Sequence, residues 1–267
     1  MPQFIFGFLS AVAIGFSAYK LRTLNFSGFL ASVFVGTVVF GLGGWQWAIV
    51  LMVFFISSSV LTKAFKKRKL NLNEKFSKGG RRDWGQVFGN GGLATFFVLL
   101  HAIPIFAESS FFWYAFVATL AAVNADTWAT EIGVLNPYPP RMITRLSEVV
   151  EKGTSGGVSV YGSLGSLIGS GIIGLMGVLL SPYPIGSGLL TFVILTGSGF
   201  MGSLFDSLLG ATVQAIYYCP KCEKDTERFP LHTCGTNTKI IRGWSWLNND
   251  LVNFGCSLIS ILFVFLI

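Results

Sequence analysis

The sequence predicts an all-α polytopic membrane protein of about eight transmembrane helices, seven to nine being the range, with both termini outside and a small cytoplasmic Cys/His loop. Three observations predict it. The chain has 267 residues, of which 52% are hydrophobic and 12% charged, against about 25% charged in an ordinary soluble domain; its mean hydropathy is +0.65. Its apolar residues gather into eight runs, at about 4–19, 28–41, 45–62, 87–103, 111–124, 158–180, 188–216 and 250–267. All 19 Lys and Arg fall in four of the intervening segments, 20–22, 63–82, 141–152 and 221–242. With eight spans those four segments share one side, and the positive-inside rule makes that side cytoplasmic.

The opposite loops, around 41–45, 104–110 and 181–187, contain one charge, Glu108. The net charge of +7 is therefore a topology signal and argues against a nucleic-acid partner. Membrane lipids are the expected surroundings, and Lys63–Lys69 are placed to touch anionic headgroups. One membrane domain over 1–267 leaves no room for a large soluble one. Its cytoplasmic segments are a basic loop at 63–86, a catalytic loop at 124–157 and the Cys/His loop at 217–249. Met1-Pro2-Gln3 lacks the basic region of a signal peptide, so 4–19 reads as a retained helix. A bacterial inner membrane or an organellar membrane is the expected location.

Spans one to three carry few polar groups beyond Ser and Thr and read as scaffold. Before span four, Arg82, Gln86 and Asn90 lie at i, i+4 and i+8 and share one helix face. That stripe is either a site entering the membrane from the cytoplasm or a solvated helix end beside a Gly-rich packing surface.

The run 111–124 ends in Asn124-Ala125-Asp126-Thr127-Trp128-Ala129-Thr130-Glu131-Ile132-Gly133. Ionisable groups at the edge of a bilayer are costly and usually functional. If the helix continues past Val123, then Asn124, Thr127 and Glu131 share one face, and Asp126 and Thr130 another. Carboxylates and hydroxyls at this density are hard oxygen ligands of the kind Mg²⁺ takes while keeping several waters. The bland alternative is an interfacial turn whose acids pair with Arg141 or Arg145.

Pro137, Pro139 and Pro140 then break the helix. Arg141, Thr144, Arg145 and Lys152 follow, leading into Gly153-Thr154-Ser155-Gly156-Gly157-Val158-Ser159. This is no Walker A sequence. It has the parts of a phosphate cradle: glycines that let the backbone approach, hydroxyls, and the N-terminal end of span six. It equally suits a helix cap followed by a packing face of Gly162, Gly165, Ser166, Gly169 and Ser170, and both can hold.

In span seven, Asp206 shares a small, polar face with Gly199, Gly202, Ser203 and Gly210. From Gly188 it lies about 27 Å along the axis at ~1.5 Å per residue. That is near the cytoplasmic boundary of a ~30 Å core. Asp250 opens span eight on the same side, where an N-cap is the simpler reading. Several separate segments thus bring oxygen ligands or phosphate-binding groups to one depth.

Cys219-Pro220-Lys221-Cys222 precedes His232-Thr233-Cys234. Three thiolates and an imidazole suffice for a tetrahedral Zn²⁺ site, although the His-x-Cys spacing is tight. Free thiols are the rival, and a disulfide does not fit a reducing compartment. Cys256 reads as a buried thiol, and His101 as a core residue.

The strings Asn124–Glu131, Gly153–Ser159 and Asp206-Ser207-Leu208-Leu209-Gly210 resemble those of a membrane family that includes plant phytyl-phosphate kinase and animal transmembrane protein 19. The Cys219–Cys234 loop and Trp246–Asp250 resemble the transmembrane protein 19 branch. The match covers roughly 79–253. The family is distantly similar to phytol kinase, dolichol kinase and CDP-diacylglycerol synthase. The resemblance implies a Mg²⁺-dependent kinase that uses CTP or another nucleotide triphosphate and acts on a phytyl or polyprenyl monophosphate. In that scheme Asp126 and Asp206 hold Mg²⁺, with Asn124, Glu131 or Asp250 in support. The loop 153–157 cradles phosphates, and Arg82, Arg141, Arg145 and Lys152 neutralise the transferred group. Gln86, Asn90, Ser159 and Asn253 complete the nucleotide- and phosphate-binding set. A cytidylyltransferase would use the same groups, and a homodimer is compatible. A transporter would place ligands at the midplane and often carry an inverted repeat, and the sequence shows no clear one. A non-catalytic scaffold would bind no nucleotide.

Overall fold

The computed structural model describes residues 2–65 and 80–267; the part of the basic loop at 66–79 lies outside them. Eight α-helices occupy the described residues: α1 (Pro2–Lys20), α2 (Phe26–Val38), α3 (Trp45–Ala64), α4 (Trp84–His101), α5 (Phe111–Gly133), α6 (Val160–Leu179), α7 (Gly188–Thr212) and α8 (Asn249–Ser260). α2 runs on as a π-turn through Val39–Gly43, and α8 as a 3₁₀ turn through Ile261–Leu266. Counting those extensions, six helices among the described residues are long and apolar enough to cross a membrane. The other two, α4 and α5, are diluted by Gln86, Asn90, Asn124, Asp126 and Glu131.

Local chemistry sets the helix starts. Asn25, Asp83, Ser159, Ser187 and Asn248 are the N-caps of α2, α4, α6, α7 and α8, each accepting from a backbone N–H of the first turn. Asp83 and Gln86 form a reciprocal capping box. The cap of α8 is thus Asn248, and Asp250 sits within its first turn. At the α2–α3 turn Gly44 takes φ +91°, open only to glycine without strain.

α5 is the axis. Every residue from Phe112 to Ala125 is buried, and α3, α4, α6, α7 and α8 all pack on it. Small residues permit the approach. A Cβ at Gly169 of α6 would lie 2.8 Å from Trp128 Cγ, and one at Gly199 of α7 2.7 Å from Ala121 Cβ. Away from the basic segments, Trp47, Trp113 and Phe116 form an aromatic cluster with centroids 4.8–6.1 Å apart. His101 stacks on Trp47 at 5.0 Å, in keeping with a core role.

Two small sheets lie outside the helices. One has strand order β2-β1-β3, from β1 (Arg141–Met142), β2 (Arg145–Val149) and β3 (Gly157–Val158). The other has order β5-β4-β6, from β4 (Ile216–Cys219), β5 (Lys224–Thr226) and β6 (Lys239–Arg242). The segments expected as loops at 124–157 and 217–249 are therefore ordered differently. The first is helical through Gly133, with its polar face bonded to α3 and α6. The second folds on a sheet.

Candidate active site

The polar motif of α5 lies against the glycine stripe of α6. Cβ atoms at Gly162 and Gly165 would lie 3.2 Å from Ala129 O and 2.8 Å from Trp128 O. Asn124 is fully buried. Its Nδ2 donates to Gly169 O at 2.8 Å, and its Oδ1 accepts from Ser57 Oγ of α3 at 3.1 Å. Both ends of this amide are used to tie α3, α5 and α6 together. Glu131 is also buried, and its Oε1 accepts from Thr62 Oγ1 of α3 at 2.8 Å.

Asp126 faces the other way, toward α7. Its carboxyl and that of Asp206 are within hydrogen-bonding contact. Asp206 is 9% exposed, whereas Asp126 is half-buried. The pair therefore keeps one member inside and leaves the other half-buried. Asp206 Oδ2 is buried and has no hydrogen-bond partner among the described residues. Adjacent carboxylates need a proton or a cation between them. The charge of Glu227, just after β5, also acts on Asp206. Nothing in its sequence context, the polar stretch after the Cys pair, marks Glu227 as a neighbour of Asp206, because its approach is set by the sheet.

The turn at 153–157 packs on the last turn of α7. Gly153 and Gly156 take φ +80° and +84°. A Cβ at Gly156 would lie 2.5 Å from Ala211 Cβ, so the backbone contact needs glycine at this position. Ser155 Oγ donates to Gln214 Oε1 at 3.0 Å, and Gln214 Nε2 donates to Glu227 Oε1 at 2.9 Å. Gln214 is 1% exposed; it bridges the glycine turn to the third carboxylate and was not singled out in the sequence. Within the turn the N–H groups of Thr154 and Gly157 donate to Glu151 O and Thr154 O. Ser159 caps α6 by accepting from Gly162 N at 3.1 Å.

A second polar group forms where α4 begins. The Arg82 guanidinium lies over the Phe54 and Phe55 rings of α3 at 5.6 and 5.9 Å. Burial lowers its pKa to about 10, and the nearby Glu131 carboxylate opposes that shift. Gln86 spends its side-chain oxygen on Asp83 N at 3.3 Å. Asn90 Oδ1 accepts from Asn253 Nδ2 of α8 at 3.0 Å. Asp250 is half-buried, and its backbone passes so close to Gly89 that a Cβ there would lie 2.8 Å from Asp250 O.

The remaining basic candidates stand apart. Arg141 is exposed and bonds Leu146 O at 2.8 Å. Arg145, also exposed, pairs with Glu148 at 3.8 Å. Lys152 closes the C-terminal end of α5 by donating to Asn136 O at 2.6 Å and Val134 O at 3.3 Å.

In the second sheet the donor atoms of Cys219, Cys222, His232 and Cys234 all lie within 4.8 Å of one another. Cys219 Sγ is 3.6 Å from Cys234 Sγ, and His232 Nδ1 is 3.4 Å from Cys234 Sγ. Hydrogen bonds, from Thr236 first and then His232, lower the Cys234 thiol to about 5. Four soft and borderline donors converge here into a Cys/His metal-binding arrangement.

Comparison with known proteins follows the same lines. Protein PGR of Arabidopsis thaliana is 33% identical over 273 aligned residues, covering 95% of this chain and 92% of that protein. An uncharacterized membrane protein of Methanocaldococcus jannaschii is 32% identical over 72% of this chain and 75% of its own. Protein VTE6, chloroplastic, of Arabidopsis thaliana is 24% identical over 86% of this chain and 61% of its own. No solved structure matches the chain. The model of the family described as integral membrane protein DUF92 matches residues 9–261, in agreement with the family resemblance carried by the motif strings. The chain is a member of that integral membrane family.

Proposed function

We propose that the protein transfers a phosphoryl group from CTP or another nucleotide triphosphate to an isoprenoid monophosphate, such as phytyl or geranylgeranyl phosphate, giving the diphosphate at the cytoplasmic face. The observation that carries this reading is the meeting of Asp126 and Asp206, from α5 and α7, with one buried carboxylate oxygen lacking a protein partner among the described residues. Hard oxygens in this number suit Mg²⁺, which binds through one or two carboxylates and keeps waters for phosphate. The motif strings shared with the phytyl-phosphate kinase family add the reaction class.

Asp126 and Asp206 would hold Mg²⁺, with Glu227 beside them. When bound, the ion supplies neutralisation of the phosphate charge. The chain's own residues do the positioning. The Gly153–Gly157 turn, fixed on α7 through Ser155 and Gln214, offers a backbone surface beside the carboxylates. Arg82 offers a fixed cation at the start of α4. Phosphoryl transfer depends on alignment and charge more than on covalent help. A monophosphate acceptor is already a nucleophile near neutral pH, so the site needs no strong base.

The Cys219/Cys222/His232/Cys234 cluster fits a structural zinc. A Zn–S bond of about 2.3 Å implies a tetrahedral S···S edge of roughly 3.8 Å, close to the 3.6 Å between Cys219 and Cys234. The four protein donors would close the coordination shell, which makes the site a brace for the sheet that carries Glu227.

The test is turnover by the purified full chain with Mg²⁺, a prenyl monophosphate panel and γ-labelled CTP or ATP. Label in a lipid diphosphate, absent in Asp126→Asn, is the expected result. Label released as pyrophosphate moves the assignment to cytidylyl transfer. No turnover by folded protein with any pair of substrates rejects the reading.

A further inference from the structure

α1, α2 and α3, which read as scaffold in the sequence, enclose a groove together with α4. Its empty volume of about 810 Å³ includes the solvent at its open side. Its walls are apolar, with Ile14, Val35, Leu51, Met52 and Phe55 among them. Ser10 and Ser32 also line it, but Ser32 Oγ is already bonded to Phe29 O at 2.8 Å. The polar side chains Arg82, Gln86 and Asn90 line it at the start of α4, and Arg82 supplies the only charge among its described lining residues. From Phe55 to Ala48 the lining follows α3 for about 10 Å at ~1.5 Å per residue. The groove is therefore long and apolar, with a cation at one end.

That cation is fixed. Arg82 N donates to Thr23 O at 2.9 Å, and its carbonyl accepts from Asn25 N at 3.0 Å. These bonds lock the entry to α4 against the α1–α2 turn. The guanidinium rests on Phe54 and Phe55, both groove residues. The Glu131 carboxylate, one and a half turns along α5 from Asp126, is near enough to act on its charge. Arg82 is thus shared between the groove and the polar motif of α5.

We propose that the groove between α1, α2, α3 and α4 takes the hydrocarbon tail of an isoprenoid monophosphate, with the phosphate at Arg82. The proposal rests on the kinase reading for the identity of the lipid. The shape and charge select the class: a single apolar chain matches the walls, and an anionic head matches the cation that Arg82 places at their end. An apolar helix from a second copy would fill the walls but make no use of the cation at their end. A phosphate here would stand between the groove and the α5 helix that carries Asp126, where an acceptor belongs.

The experiment uses the full chain in phospholipid nanodiscs and a geranylgeranyl monophosphate carrying a diazirine at the far end of its tail. After irradiation, cross-linked peptides are mapped by mass spectrometry. Labelling should fall on α1, α2 and α3, and unlabelled geranylgeranyl phosphate should compete it away. Arg82→Gln should weaken competition by about tenfold to a hundredfold, the scale of a lost charge-assisted hydrogen bond. Ala48→Phe, which narrows the groove away from Arg82, should raise the lipid KM and leave the nucleotide KM unchanged. Cross-links confined to other helices would overturn the proposal. So would equal competition by phosphatidylglycerol, which would make the groove an annular lipid site. Asp126→Asn separates the two readings. Groove labelling retained in a folded protein that never turns over supports the groove while rejecting the kinase. Turnover with labelling elsewhere supports the kinase while rejecting the groove.

Discussion

Asn124 and Asp126 lie two residues apart in one motif, and the structure gives them opposite roles. Asn124→Leu keeps side-chain volume close to constant and removes two inter-helix hydrogen bonds, to Gly169 O and from Ser57 Oγ. The partners are not orphaned, since Ser57 Oγ also donates to Phe54 O at 3.3 Å and Gly169 O lies within α6. The cost is therefore that of two side-chain bonds in a membrane bundle, about 0.6 kcal/mol each on average and up to ~1.7. The expected loss is roughly 1–3 kcal/mol, with most of the turnover per folded molecule retained. Asp126→Asn changes no volume and relieves a like-charge contact with Asp206, so its stability should equal or exceed wild type while turnover vanishes. Equilibrium unfolding in mixed detergent and SDS micelles, paired with the phosphoryl-transfer assay, reads both quantities. An Asn124→Leu protein that unfolds like wild type yet has no turnover would refute the reasoning and return Asn124 to the reacting groups.

Three further outcomes are expected. Asp206→Asn should weaken Mn²⁺ binding, followed by electron paramagnetic resonance with Mn²⁺ in place of Mg²⁺; unchanged binding would remove Asp206 from the metal site. The purified chain should carry one zinc, and either a strong chelator or Cys222→Ser should release it and lower the unfolding temperature; elemental analysis finding no zinc in carefully prepared protein would contradict this. Gly199→Val should destabilise by about 1–3 kcal/mol through overpacking, because its Cβ would sit 2.7 Å from the Cβ atoms of Ala121 and Ser170; a wild-type unfolding profile would mean that α7 packs otherwise.

Much of this arrangement is legible in the sequence, and the exceptions have physical causes. The eight apolar runs correspond to the eight helices of the described residues, since each must bury or expose to lipid a continuous apolar surface. Run 111–124 was too short because its helix continues to Gly133. A polar residue ends a hydropathy run wherever its side chain goes, and here Asn124 and Glu131 turn inward onto Gly169, Ser57 and Thr62. Asp126 and Asp206 stood out because acids in spans are rare. Glu227 and Gln214 did not, because they reach the site through sheet β5-β4-β6 and a bridge to Ser155, and neither fold nor bridge has a periodic signature. The stripe Arg82, Gln86 and Asn90 was legible as a face. What it faces, the groove of α1–α4, depends on how four helices pack.

The two least lipid-like helices, α4 and α5, carry Gln86, Asn90, Asn124, Asp126 and Glu131, and this is a consequence of where they sit. α5 is enclosed by five other helices, so its polar groups meet protein, not hydrocarbon. Partners on α3 and α6 offset part of the cost of placing Asn124 and Glu131 in a bilayer. Polar side-chain pairs gather at one end: Thr62 with Glu131, Asn253 with Asn90, and Ser155 with Gln214. The other end is closed by aromatic packing, with Trp113 Nε1 donating to Gly177 O at 3.0 Å and Tyr183 OH meeting His101 Nδ1 at 3.3 Å. Interlocked rings resist rearrangement, whereas hydrogen bonds between polar side chains can exchange for bonds to a ligand at little net cost. The bundle is therefore rigid where it is apolar and adaptable where it is charged. A phosphate-bearing lipid and a nucleotide would need to meet at that adaptable end.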